Sequence, residues 1–154
     1  MGFRLYESQE AIKSYLEATF PGYKFYRGGV PDAEEILYVD NRIRAYVTLR
    51  FRPMQKSGGP GSMAGVRHDD YFSTFDLNVI AADDGQAGQI VSIMTDRVIG
   101  FKSPYNNAVS PEGGTGDFVL RNAGTRPSAY VQSQRFRYTL NTVDPQEYIQ
   151  QPGA

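Results

Sequence analysis

Residues 43–52 read Ile43-Arg44-Ala45-Tyr46-Val47-Thr48-Leu49-Arg50-Phe51-Arg52, and their alternation decides the fold. Ala45, Val47, Leu49 and Phe51 take every second position, interleaved with Arg44, Tyr46, Thr48, Arg50 and Arg52. Successive side chains of a strand point to opposite faces, so this period predicts a strand with one face in a core and the other polar. Tyr71 to Ala82 repeats the pattern, with Phe75, Leu77, Val79 and Ala81 against Thr74, Asp76 and Asn78. The two runs are expected to pair antiparallel. A third, Ala129 to Asn141, sets Tyr130, Phe136, Tyr138 and Leu140 against Ser133, Arg135, Arg137 and Thr139. Tyr23 to Tyr26 reads as a short aromatic strand, stopped by Gly28, Gly29 and Pro31.

Two segments carry helical spacing instead. From Ser8 to Phe20 the residues Ile12, Tyr15, Leu16 and Phe20 recur on one face, with Ser8 as N-cap, Glu10 in the first turn and Pro21-Gly22 as the stop. Asp83-Asp84-Gly85 supplies a cap and first-turn carboxylates to a helix from Gln86 to Ile99. Its expected packed stripe is Ile90, Ile93, Met94, Arg97, Val98 and Phe101, and Gly100 is placed to end it.

Between these elements lie two long irregular stretches. Gln55 to Gly65 contains Gly58-Gly59-Pro60-Gly61, and Lys102 to Pro127 contains Gly113-Gly114-Thr115-Gly116 with a short apolar piece at Phe118, Val119 and Leu120. Neither composition holds regular structure, and loops of such length are commonly functional. The fold class expected is α+β: an antiparallel, or mixed, sheet packed by two helices, in one domain over residues 1–142 with a flexible tail over 143–154. A chain of 154 residues is long enough to bury about two thirds of its unfolded surface in one core.

Sixteen Lys and Arg against 17 Asp and Glu leave a net charge of −1, which argues against a general nucleic-acid binder while leaving local basic patches possible. With no cysteine there is no disulfide framework, thiolate metal site or cysteine nucleophile. No apolar run reaches the length of a membrane span and the first ten residues lack a signal-peptide core, so the chain is expected to stay in the cytosol of the cell that makes it.

Each chemical constellation has a plainer alternative. The single histidine, His68, stands beside Asp69 and Asp70, but without the spaced partners that fix a metal geometry. Asp83-Asp84-Gly85 is followed by none of the carboxylates of a calcium loop. The glycine runs lack the lysine of a phosphate-binding loop, no serine lies in a nucleophile elbow, and Glu34-Glu35 reads as solvated surface. The expectation is a non-enzyme with neither cofactor nor metal. More suggestive are the arginines on polar strand faces: Arg44, Arg50 and Arg52 on one strand, Arg135 and Arg137 on another. They read either as a solvated, aggregation-resistant sheet face or as a subunit interface, where arginine and tyrosine carry much of the energy. Gly58, Gly59, Gly61, Gly113 and Gly114 join them as candidate interface positions, in loops able to order against a neighbour.

The order of helix, strand, long strand, loop, long strand, capped helix, irregular segment and final strand resembles that of the tail terminator proteins of long-tailed bacteriophages. The resemblance is carried by Phe75-Asp76-Leu77-Asn78-Val79-Ile80-Ala81 leading into Ile90-Val91-Ser92-Ile93-Met94, and by the ending Phe136-Arg137-Tyr138-Thr139-Leu140; it covers most of residues 8–141. It implies a homo-oligomeric ring, typically a hexamer, that ends tail-tube polymerisation and joins the tail to the head. The implied partners are further copies of the chain, the tail-tube protein and the head-tail connector or stopper protein, with DNA passing through the lumen without sequence-specific binding. The implied location is the virion neck, away from membranes. Longer loops and a proline-containing tail depart from the family's pattern. Alternatives are a head-completion or stopper protein, a tail-tube subunit, and a small enzyme or ligand-binding module built around His68.

Overall fold

The computed structural model describes residues 2–29, 38–39, 42–56, 71–112, 120–121 and 129–143. Strand β1 (Gly2–Phe3) and helix α1 (Leu5–Thr19) are followed by β2 (Phe25–Arg27), β3 (Tyr38–Val39), β4 (Arg42–Ile43), β5 (Tyr46–Phe51), β6 (Gln55–Lys56) and the long β7 (Tyr71–Ala81). Helix α2 (Asp84–Val98), β8 (Ser110–Pro111), β9 (Leu120–Arg121), β10 (Tyr130–Thr139) and β11 (Thr142–Val143) complete the order. The main sheet runs β2-β5-β7-β10-β8, with β6 added to β7 and β9 to β10. Only β2 is parallel to its neighbour; the other pairings in this sheet are antiparallel, including the expected β5–β7 pair. The class is α+β with a mixed sheet.

Both helices cover the same side of the sheet. Ile12 and Leu16 of α1, and Ala87, Ile90, Met94 and Val98 of α2, share one core with Val47, Leu49, Phe75, Leu77, Val79, Phe136 and Tyr138. These are the alternating apolar positions of β5, β7 and β10, so the period of two in the sequence corresponds directly to the packed face. Phe75 anchors the layer, with Phe136 stacked 5.1 Å away between ring centroids. Helix α1 is tied to the sheet edge by Arg27, whose guanidinium donates to Glu10 Oε1 at 2.8 Å and to Gln9 Oε1.

Several boundaries differ from the sequence reading. Helix α1 starts at Leu5, and Ser8 is inside it, fully buried, rather than capping it. Its hydroxyl donates to the Leu5 carbonyl at 2.6 Å and lies 3.2 Å from the Tyr138 hydroxyl. One hydroxyl proton serves one acceptor, so Tyr138 is the donor in the second contact. Aromatic residues 23–26 shift to a strand over Phe25–Arg27. The run 43–52 breaks at Arg44–Ala45, and the break turns Ile43 to the opposite side of the sheet, where it packs with Ile80 and Ala129. Helix α2 begins at Asp84, because Asp83 Oδ1 accepts from the Gly85 N–H at 2.9 Å. Its buried stripe is Ala87, Ile90, Met94 and Val98; Ile93 is 56% exposed and Arg97 is exposed. Ala87 extends the stripe toward the N-terminus and rotates it away from Ile93 and Arg97. Gly100 ends the helix with φ at +88°, a conformation in which a side chain is strained.

The stretch from Lys102 begins more ordered than its composition suggests. Val109 is buried, Gly100 N–H donates to its carbonyl at 2.8 Å, and Asn106 is buried and bridges Leu140. Thr142–Val143 pairs antiparallel with Gly2–Phe3, which brings both ends of the described chain into one small sheet and extends ordered backbone one residue into the segment expected to be a flexible tail.

Candidate functional site

The sheet face opposite the helices is built from the polar alternate positions of β5, β7 and β10. Register puts them in cross-strand rows: Tyr46, Ile80 and Val131; Thr48, Asn78 and Ser133; Arg50, Asp76 and Arg135. In the middle row Ser133 Oγ donates to Asn78 Oδ1 at 2.5 Å and Asn78 Nδ2 to Thr48 Oγ1 at 3.2 Å, locking three strands together by side chains. Such cross-strand pairs stabilise a sheet beyond its backbone ladder.

Asp76 is the centre of the charged part. Arg52 Nη2 donates to Asp76 Oδ2 at 2.6 Å, and Arg135 Nε donates to Oδ1 at 2.8 Å, so each carboxylate oxygen has its own guanidinium. The Asp76 side chain is 16% exposed, enough burial for these bonds to be stronger than ordinary surface pairs. The hydrogen bond to Asp76 holds the Arg135 guanidinium above its ordinary range; burial pulls the other way, and Asp76 and Glu112 add favourable charge. Glu112 follows β8, donates its N–H to the Arg135 carbonyl at 3.0 Å, and keeps its Oε2 buried without a hydrogen-bond partner among the described residues. Arg137 lies on the same side as Asp76, its guanidinium 3.7 Å above the Phe72 ring. Cation–π stacking of this kind fixes the plane of the group.

Four of the five expected arginines therefore meet on one face, Arg50, Arg52, Arg135 and Arg137. Arg44 does not join them. It lies between β4 and β5, exposed, with Nη2 3.4 Å from the Gly22 carbonyl, six residues and about 20 Å of strand from Arg50. Gly58, Gly59, Gly61, Gly113 and Gly114 lie outside the described residues, as do His68, Asp69, Asp70, Glu34 and Glu35. Sequence reading assigned Asp76 to the polar side of its strand without recognising it as the shared partner. That role depends on the register of three strands far apart in the chain. Phe72 and Glu112 escaped for the same reason.

Among these arginines Arg50 is exposed, and Arg52, Arg135 and Arg137 are half-buried. A cleft of 440 Å³ lies by Arg42, Arg44, Asp83 and Gln86, and another of 370 Å³ by Glu17, Tyr23 and Tyr26; Arg50, Arg52, Arg135 and Arg137 line neither. Among the described residues no group of three or more His, Asp or Glu is placed to hold a metal, and no helix is long and apolar enough to cross a membrane. Fold and face together define a two-layer α+β arrangement with a guanidinium-bearing sheet surface. No protein-family model matches the sequence, and no curated protein matches it significantly.

Proposed function

We propose that the chain is a structural assembly subunit, a phage tail terminator that forms a ring at the end of the tail tube. The observation that carries this reading is the sheet face, bare of helix among the described residues, on which Arg50, Arg52, Arg135 and Arg137 gather around Asp76. Arginines held rigidly by a carboxylate or an aromatic ring lose little freedom on binding, which suits them to an interface. The order of elements, with both helices on one layer, supports the same assignment. In this reading the ring, a hexamer in the family's pattern, meets the tail-tube protein on one side and the head-tail connector on the other. DNA passes through its lumen, and the protein belongs to the neck of the virion, with no cofactor and no catalytic role.

The test is a mass measurement of the purified chain across concentration, with negative-stain imaging after mixing with tail tubes. Rings that cap the tubes are expected. A chain that stays monomeric throughout and never caps a tube overturns the reading.

A further inference from the structure

The arginine face is not uniformly free. Arg52 and Arg135 are committed to Asp76, whereas Arg50 and Arg137 donate to no carboxylate among the described residues. Arg50 is exposed, and Arg137 is half-buried with its plane set by Phe72. Two strand spacings across and two residues along separate Arg50 from Arg137, so their Cα positions stand on the order of 10–12 Å apart. The opposite layer has the reverse character. Helices α1 and α2 with their N-cap residues carry six carboxylates, of Glu7, Glu10, Glu17, Asp83, Asp84 and Asp96, against the three cations of Arg4, Lys13 and Arg97. On the outward side of α2 the exposed Asp96 is flanked by two apolar side chains open to solvent, Ile93 at 56% and Ile99 at 44% exposure.

We propose that the arginine face docks the helix layer of a second copy of this chain, with Arg50 and Arg137 taking the Asp96 side of α2 and Phe72 lying against Ile93 and Ile99. The inference rests on the ring reading above and names its contact. Two dissimilar patches on opposite layers make a heterologous contact, which propagates to a ring or a filament and does not close as a two-fold dimer. A nucleic-acid backbone fits the face less well, because the chain as a whole carries a net charge of −1.

The experiment uses two one-sided variants of the full chain. Arg50→Glu with Arg137→Glu disables the sheet face, and Asp96→Lys disables the helix face; circular dichroism checks that each is folded. If the first does not fold, Arg50→Glu alone replaces it. Each variant by itself is expected to need at least roughly tenfold more protein than wild type to assemble, as loss of central interface arginines commonly produces. Mixed, the two are expected to give a 1:1 dimer that grows no further, since one intact face meets one intact back. Assembly of either variant at the wild-type concentration overturns the contact while leaving the ring reading in place. So does a mixture that stays monomeric. A wild-type chain that is monomeric at every concentration sinks the ring reading and this contact with it. Binding of a short labelled DNA duplex that is lost in the arginine variant, with assembly unchanged, overturns the proposal in favour of a polyanion surface.

Discussion

Replacing Asp76 by alanine removes the carboxylate that two arginines share, and the structure sets the size of the effect. The lost contacts are 2.6 Å to Arg52 and 2.8 Å to Arg135, with Asp76 16% exposed and the two arginine side chains 25% and 26% exposed. Hydrogen bonds to charged groups contribute roughly 1.5–3 kcal/mol each when desolvated, and exposed ion pairs about 0.2–1 kcal/mol. Exposure of about a quarter places each contact between those limits, so the pair is worth about 2 kcal/mol. Removing it also leaves two guanidiniums facing each other with their countercharge gone. For a chain of this size about 2 kcal/mol corresponds to roughly 4–8 °C in Tm. Arg50 is the internal control: it faces Asp76 directly across the strands, yet Asp76 bonds Arg52 and Arg135 instead. Arg50→Ala is therefore expected to cost less than about 0.5 kcal/mol, as for a surface substitution. Urea and thermal melts of Asp76→Ala, Arg52→Ala, Arg50→Ala and the double variants measure the couplings. The clamp is wrong if Asp76→Ala melts with the wild type, or if Asp76 couples to Arg50 as strongly as to Arg52. The clamp also means that glutamate at Arg52 or Arg135 perturbs the fold as well as the surface, which makes Arg50 the cleaner probe of assembly.

Burial raises the Tyr138 hydroxyl above its ordinary range, outweighing the opposite pull of the Arg27 charge. The folded state thus holds this proton more tightly than the unfolded chain, and its contribution is fully present below about pH 10 and lost as pH rises beyond it. The wild type is expected to lose more stability than Tyr138→Phe between about pH 8 and pH 10.5, and a constant difference in urea midpoint would exclude this. In α2, Met94→Ala opens a cavity at a fully buried position and is expected to cost about 2–5 kcal/mol. One residue earlier, Ile93→Ser changes an exposed side chain and is expected to stay within about 0.5 kcal/mol; equal melting temperatures for the two would refute the assigned helix face.

The sequence alone determined the alternation of β5, β7 and β10, the two helices, the Asp83 cap and the turn at Gly100, because each depends on residues within a few positions of one another. It also placed Arg50, Arg52, Arg135 and Arg137 on polar strand faces. It did not reveal that Ser8 is an interior helix residue meeting Tyr138, 130 positions away, since a serine before an amphipathic run looks the same whether it caps or packs. Nor did periodicity distinguish Ile93 from Met94, for two neighbours at the margin of a stripe are assigned only when the sheet fixes the rotation of the helix. The clamp at Asp76 belonged wholly to the tertiary structure. Strand register chose which arginines meet one carboxylate, and it was settled by the packing of the opposite, apolar face, where a slip of one residue would have turned every side chain to the wrong side.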